Sequence, residues 1–146
     1  MAEEDRLWAD LHHLVDALPP DEVATPGYFA EGWSAKDLVA HVGSWLAQSG
    51  AVLERIRSGT YRSEEIDIES MNKQFFEAMR DVPFGTVRAQ ATAARSRMLS
   101  AWGSVSDDDP EARRWIRKAG PDHYAEHLPR LRAWVAERAG QSGDSR

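Results

Sequence analysis

His123 and His127 stand four positions apart in Gly120-Pro-Asp-His-Tyr-Ala-Glu-His, and residues at i and i+4 project from the same side of a helix. A third histidine, His41, falls on the inward stripe of a separate helical segment. Only five histidines occur in the chain, so this placement is its main chemical signal. Three imidazoles from two facing helices make a three-nitrogen site for a divalent cation with one coordination position open. Zn²⁺ or Ni²⁺ held by three neutral rings keeps its full charge, which brings a coordinated water to a pKa of about 7 and deprotonates a coordinated thiol. Either product is a nucleophile at neutral pH. The rival reading makes His41 a hydrogen-bonded core residue and leaves the 123/127 pair partly exposed, because His-x-x-x-His alone is a weak signal. Asp37 and Glu126 are candidates to orient the rings, against a capping role for Asp37 and a solvated position for Glu126. His12 and His13 fall at the edge of the first leucine stripe.

The elements that must carry these residues read as helices throughout. Leu7, Leu11, Leu14, Val15 and Leu18 form one stripe over Glu3 to Leu18, closed by Pro19-Pro20. A loop from Asp21 to Trp33 follows. Ser34-Ala-Lys-Asp37 has the form of a capping box for a helix to about Arg57, whose inner face holds Leu38, His41, Val42, Trp45, Ser49 and Val52. Ile68 to Met79 is a shorter helix inside a long crossing segment. Thr86 is expected to cap a third long helix that ends near Trp102. Asp109-Pro110 opens the last helical stretch, which carries His123 and His127. Gly120-Pro121 and Pro129 make it either one kinked helix or a short helix followed by a longer one. No strand pattern competes. The expected architecture is an all-α bundle of four main helices with one or two long crossovers, in a single domain over residues 1–139 with a disordered tail at 140–146.

Composition removes several function classes. The chain has 146 residues and no cysteine, which excludes disulfides, zinc-thiolate sites and a cysteine nucleophile. A net charge of −6 argues against a nucleic-acid partner, and the late arginines (Arg113, Arg114, Arg117, Arg130, Arg132) are mixed with acids as on a solvated helix face. The amino terminus is acidic and no apolar run is long enough to span a bilayer, so a cytoplasmic location with no membrane partner is expected. Six tryptophans fit core anchors and an aromatic pocket for a small molecule. A Ser-His-Asp hydrolase lacks its strand-turn-helix elbow, and no Gly-rich phosphate loop is present.

Trp33-Ser-Ala-Lys-Asp-Leu-Val-Ala-His41-Val-Gly-Ser-Trp45 resembles the second-helix motif of the DinB-like superfamily. Ile68-Glu-Ser-Met-Asn72, Pro83-Phe-Gly-Thr-Val87 and His123-Tyr-Ala-Glu-His127-Leu-Pro-Arg-Leu-Arg-Ala-Trp134 agree in order and spacing. The chain is most similar to the ClbS/DfsB-type four-helix-bundle proteins, from about Leu7 to Arg138. The resemblance implies up-down-down-up connectivity, with the long crossover between the second and third helices. It implies a divalent metal on His41, His123 and His127. It also implies metal-dependent chemistry with a low-molecular-weight thiol, or protection from reactive electrophiles. The related mycothiol-dependent maleylpyruvate isomerases carry a glutamate at one of the three places and often a further carboxy-terminal domain. Histidine at all three positions here argues against maleylpyruvate as substrate. Two functions are therefore carried forward: a thiol-dependent transferase or detoxifying hydrolase for a small electrophile, and a non-catalytic small-molecule-binding or stress-protection protein. Relatives are often dimers, so a homodimer is expected. Asn72, in the crossover helix, is a candidate to hydrogen-bond a ligand or to serve a helix terminus.

Overall fold

The computed structural model describes residues 1–27 and 32–143; among them every regular element is a helix and none is a strand. The helices are α1 (Ala2–Asp16), α2 (Ala35–Ser58), α3 (Ile68–Met79), α4 (Phe84–Trp102), α5 (Pro110–Ala119) and α6 (Pro121–Gly143). Part of the expected loop before Trp33, residues 28–31, lies outside the described residues.

Each boundary has a local cause. α1 stops at Asp16, short of Leu18, because Leu18, directly before Pro19, is disfavoured in the helical region; Leu18 is buried all the same. α2 opens on a full capping box. The Ser34 hydroxyl accepts from the Asp37 amide at 3.2 Å, and the Asp37 carboxylate accepts from the Ser34 amide at 2.8 Å. Asp37 is therefore a cap and not a partner of an imidazole. Gly59 ends α2 in the left-handed conformation, φ 75°, which favours glycine.

α4 begins earlier than expected. Pro83 occupies the N-cap with φ −60° and ψ 147°, and its carbonyl accepts from Val87 at 3.0 Å. Thr86 lies inside the first turn and does not cap. The proline fixes the entry angle, so the helix starts at once without a side-chain cap. The last stretch is two helices and not one kinked helix. Gly120 breaks it at φ −97°, ψ −111°, where a Cβ would sit 2.8 Å from the Ile116 carbonyl oxygen. Pro121 then starts α6 as its first residue. Pro129 lies inside α6, which continues to Gly143, past Gly140, where the tail was expected to begin; residues 144–146 lie outside the described residues.

α2 lies along α4, α1 along α6, and α5 against both α2 and α6. Gly43 makes the α2–α4 approach possible: a Cβ there would stand 2.9 Å from the Cβ of Ala91. The buried apolar residues form one cluster drawing on all helices except α3, with Leu11, Leu38, Leu46, Leu53, Met98 and Leu131 at its centre. α3 buries no residue fully. It is tied to α2 by Lys36, whose Nζ donates to the carbonyls of Arg80 (2.6 Å) and Val82 (3.0 Å). The late arginines pair locally, Arg114 with Glu111 and Arg117 with Asp122, each at 2.9 Å. No described helix is long and apolar enough to cross a membrane.

Candidate metal centre

α2 and α6 bring the three histidines together. The Nε2 atom of His123 lies 3.0 Å from that of His41 and 3.0 Å from that of His127. One ligand atom from each ring falls within 4.8 Å of the other two. His123 is buried, and His41 and His127 are half-buried. The three rings meet edge to face, with centroids 4.7–5.3 Å apart.

Burial dominates their protonation. Desolvation pushes His41 down to about 4 from the ordinary 6.5, with His127 adding to the shift. It pushes His123 down to about 3, reinforced by His41 and His127. The Ala119 carbonyl opposes that second shift, although it stands outside good hydrogen-bond geometry with Nδ1. His127 is also lowered by desolvation, against the pull of the Glu126 carboxylate. At neutral pH the cluster is three uncharged rings with their lone pairs available.

This donor set fits a divalent cation. Neutral imidazole has one N–H and one lone pair, and the His123 Nε2 is shared between two Nε2 neighbours. No choice of tautomers gives every contact a good donor and acceptor, whereas one cation accepts all three lone pairs. Tetrahedral zinc bound to nitrogens at 2.0–2.1 Å requires them about 3.3 Å apart, close to the two separations seen. The Nδ1 atoms of His41 and His123 are both buried with no hydrogen-bond partner among the described residues, while their Nε2 atoms face each other across the cluster.

The cluster lies at the wall of a cleft of about 1400 Å³. Trp33, Trp45, Phe76 and Trp115 supply its apolar surface. Trp33 packs on the His41 ring at 5.3 Å and stacks on Phe76 at 5.6 Å with the planes 5° apart. Trp45 meets Phe75 edge to face at 5.3 Å, and its indole N–H donates to the Asn72 Oδ1 at 2.7 Å. Carboxylates outnumber cations on the walls: Glu64, Glu65, Glu69, Asp122 and Glu126 against Lys73, Arg114 and Lys118. Glu126 is exposed, as the solvated reading had it.

The sequence reading missed what sets the rotation of α6 beside His123. Glu4, fully buried, takes a two-pronged ion pair from Arg95 (2.7 and 2.6 Å) and accepts from the Tyr124 hydroxyl at 3.1 Å. The Tyr124 hydroxyl is pushed well above its ordinary range, first by burial and then by the Glu4 charge. The network joins α1, α4 and α6. His12 is half-buried against Trp8 at 4.2 Å and His13 is exposed; neither joins the cluster.

An all-helical chain with this cluster on its second and last helices is a protein of the DinB-like class. The sequence model of the family described as mycothiol maleylpyruvate isomerase N-terminal domain matches residues 5–139, and the chain belongs to that family. The match is to the family named above as related to the ClbS/DfsB-type proteins. No curated protein and no solved structure matches the chain at comparable significance.

Proposed function

We propose that the protein is a divalent-metal-dependent enzyme that transfers a low-molecular-weight thiol to a small electrophile, or hydrolyses that electrophile. The observation that carries this reading is the convergence of three neutral Nε2 atoms on one wall of an aromatic cleft. His41, His123 and His127 are the ligands, and zinc or nickel suits an all-imidazole set. Once bound, the cation supplies the positive charge that keeps a thiol or water deprotonated at neutral pH. The chain's own part is to hold the imidazoles uncharged, to shield the site with Trp33 and Trp45, and to admit the electrophile. The acidic surplus on the walls disfavours a dianion such as maleylpyruvate and suits a neutral electrophile with an apolar body. The family's name supports mycothiol as the thiol. In the same reading α1, α2, α4 and α6 are the four helices of an up-down-down-up bundle, with α3 in the crossover, acting in the cytoplasm as one domain that pairs into a homodimer.

Elemental analysis of untagged protein, purified without chelator, tests the assignment. Near-stoichiometric zinc or nickel is expected, lost in His41→Ala and in His123→Ala. Metal-free protein that also refuses added zinc and nickel would end the reading. Product analysis with thiols and electrophiles separates catalysis from binding: multiple turnovers support the enzyme, and stoichiometric recovery of unchanged ligand makes the protein a binder.

A further inference from the structure

Asn72 is held in a way that a purely structural asparagine does not require. The indole N–H of Trp45 is a donor only, so the atom facing it at 2.7 Å is the amide oxygen. That settles the orientation of the side chain, which heavy-atom positions alone leave open. Its Nδ2 points the other way. Among the described residues none accepts from that nitrogen, and it is not one of the buried unpartnered atoms. Asn72 is half-buried and lines the cleft that the histidines line. Trp45, which orients it, stands one turn beyond His41 on α2, and Phe75 braces the indole from the side. The cleft therefore carries, opposite α2 and on α3, a pair of N–H donors whose direction is fixed and whose acceptor is not protein.

We infer that Asn72 is the residue that recognises an oxygen acceptor on the small molecule in the cleft, with Trp45 as its positioning residue. With Trp45 holding Oδ1, the amide turns its two N–H donors to the ligand, and the acidic surplus on the walls disfavours an anionic acceptor, so the ligand class it selects is a neutral molecule with a carbonyl oxygen on an apolar or aromatic body. A site built to hydrogen-bond a ligand discriminates against the shape-matched analogue that lacks the group. This assignment rests on the cleft being the ligand site of the proposed function and extends it to specificity.

The test uses acetophenone and α-methylstyrene, which have the same shape but differ in having C=O or C=CH₂. Binding of each to the ¹⁵N-labelled full chain is followed by NMR, with the Asn72 amide signal assigned by its loss in Asn72→Asp. Acetophenone is expected to bind about fivefold to tenfold more tightly, the worth of one hydrogen bond, and to move the Asn72 amide signal. Asn72→Asp keeps an acceptor for Trp45 but removes both donors, so it should abolish the preference for acetophenone. Equal affinities in the unaltered protein, no binding by either probe, or a preference that survives in Asn72→Asp would overturn the inference. Should that variant fail to fold, the Asn72 signal in the unaltered protein decides alone, and an unmoved signal counts against it. Neither probe requires thiol or turnover. A protein that holds zinc and shows no carbonyl preference overturns only the role of Asn72. A carbonyl preference in a protein that refuses zinc and nickel overturns the metal reading and leaves Asn72 in place.

Discussion

Between pH 6.5 and about 4 the unfolded chain takes protons on His41 and His123 that the folded chain refuses, since burial lowers both groups to about 4 and about 3. Stability of the metal-free protein therefore rises with pH through that window, is fully present above 6.5, and is lost as acid drives protons into the cluster. Urea midpoints measured in chelator at pH 7, 6 and 5 should fall progressively. A variant with all three histidines changed to glutamine should lose most of that slope. A midpoint in the unaltered protein that stays level from pH 7 to 5 would remove the claim that the rings are held neutral. At this scale the trio was readable because i, i+4 spacing and an inward stripe are local patterns. Glu4, Arg95 and Tyr124 were not, because an acid in the first turn of a helix reads as a solvated dipole partner. Nothing near Glu4 in sequence announces partners 91 and 120 positions away.

Helix α2 has to do two things at once: press against α4 on one face and present His41 and Trp45 to the cleft on another. Gly43 permits the first. Alanine there should gain about 1 kcal/mol of helix propensity and still be destabilising. The new methyl meets the Ala91 Cβ at 2.9 Å and its backbone Cα at 3.0 Å, and overpacking of this kind costs about 1–3 kcal/mol. A Gly43→Ala protein whose thermal midpoint equals or exceeds that of the parent would show that the two helices separate freely. The sequence located α2 and α5 through their caps, because Ser34 and Asp109 each accept from the amide three residues further on. It placed the start of α4 late because Pro83 needs no side-chain signal. It could not choose between one and two final helices because the choice turns on the backbone of Gly120, which leaves the helical region at φ −97°, ψ −111° in a turn where an added Cβ would meet the Ile116 carbonyl oxygen.

In the molecule as a whole, the Glu4–Arg95–Tyr124 network is the polar junction between α1, α4 and α6. Removing Arg95 leaves a buried carboxylate without its counter-ion, which costs about 3–5 kcal/mol; Tyr124→Phe removes one hydrogen bond to a charged group, about 1.5–3 kcal/mol. Chemical denaturation of Arg95→Met and Tyr124→Phe should rank them in that order, and an Arg95→Met protein as stable as the parent would show the junction to be dispensable. The centre has a further consequence for a chain with no cysteine. His41 and His123 are 82 positions apart, so a cation gripped by both is a cross-link closing a very long loop. In chain-entropy terms a permanent link over such a span is worth about 4.5 kcal/mol. The first 122 residues cannot make that closure, however well they collapse. Capture of such an ion would therefore report that the last helix has docked, and the ion would do for this fold what a disulfide does for a secreted one.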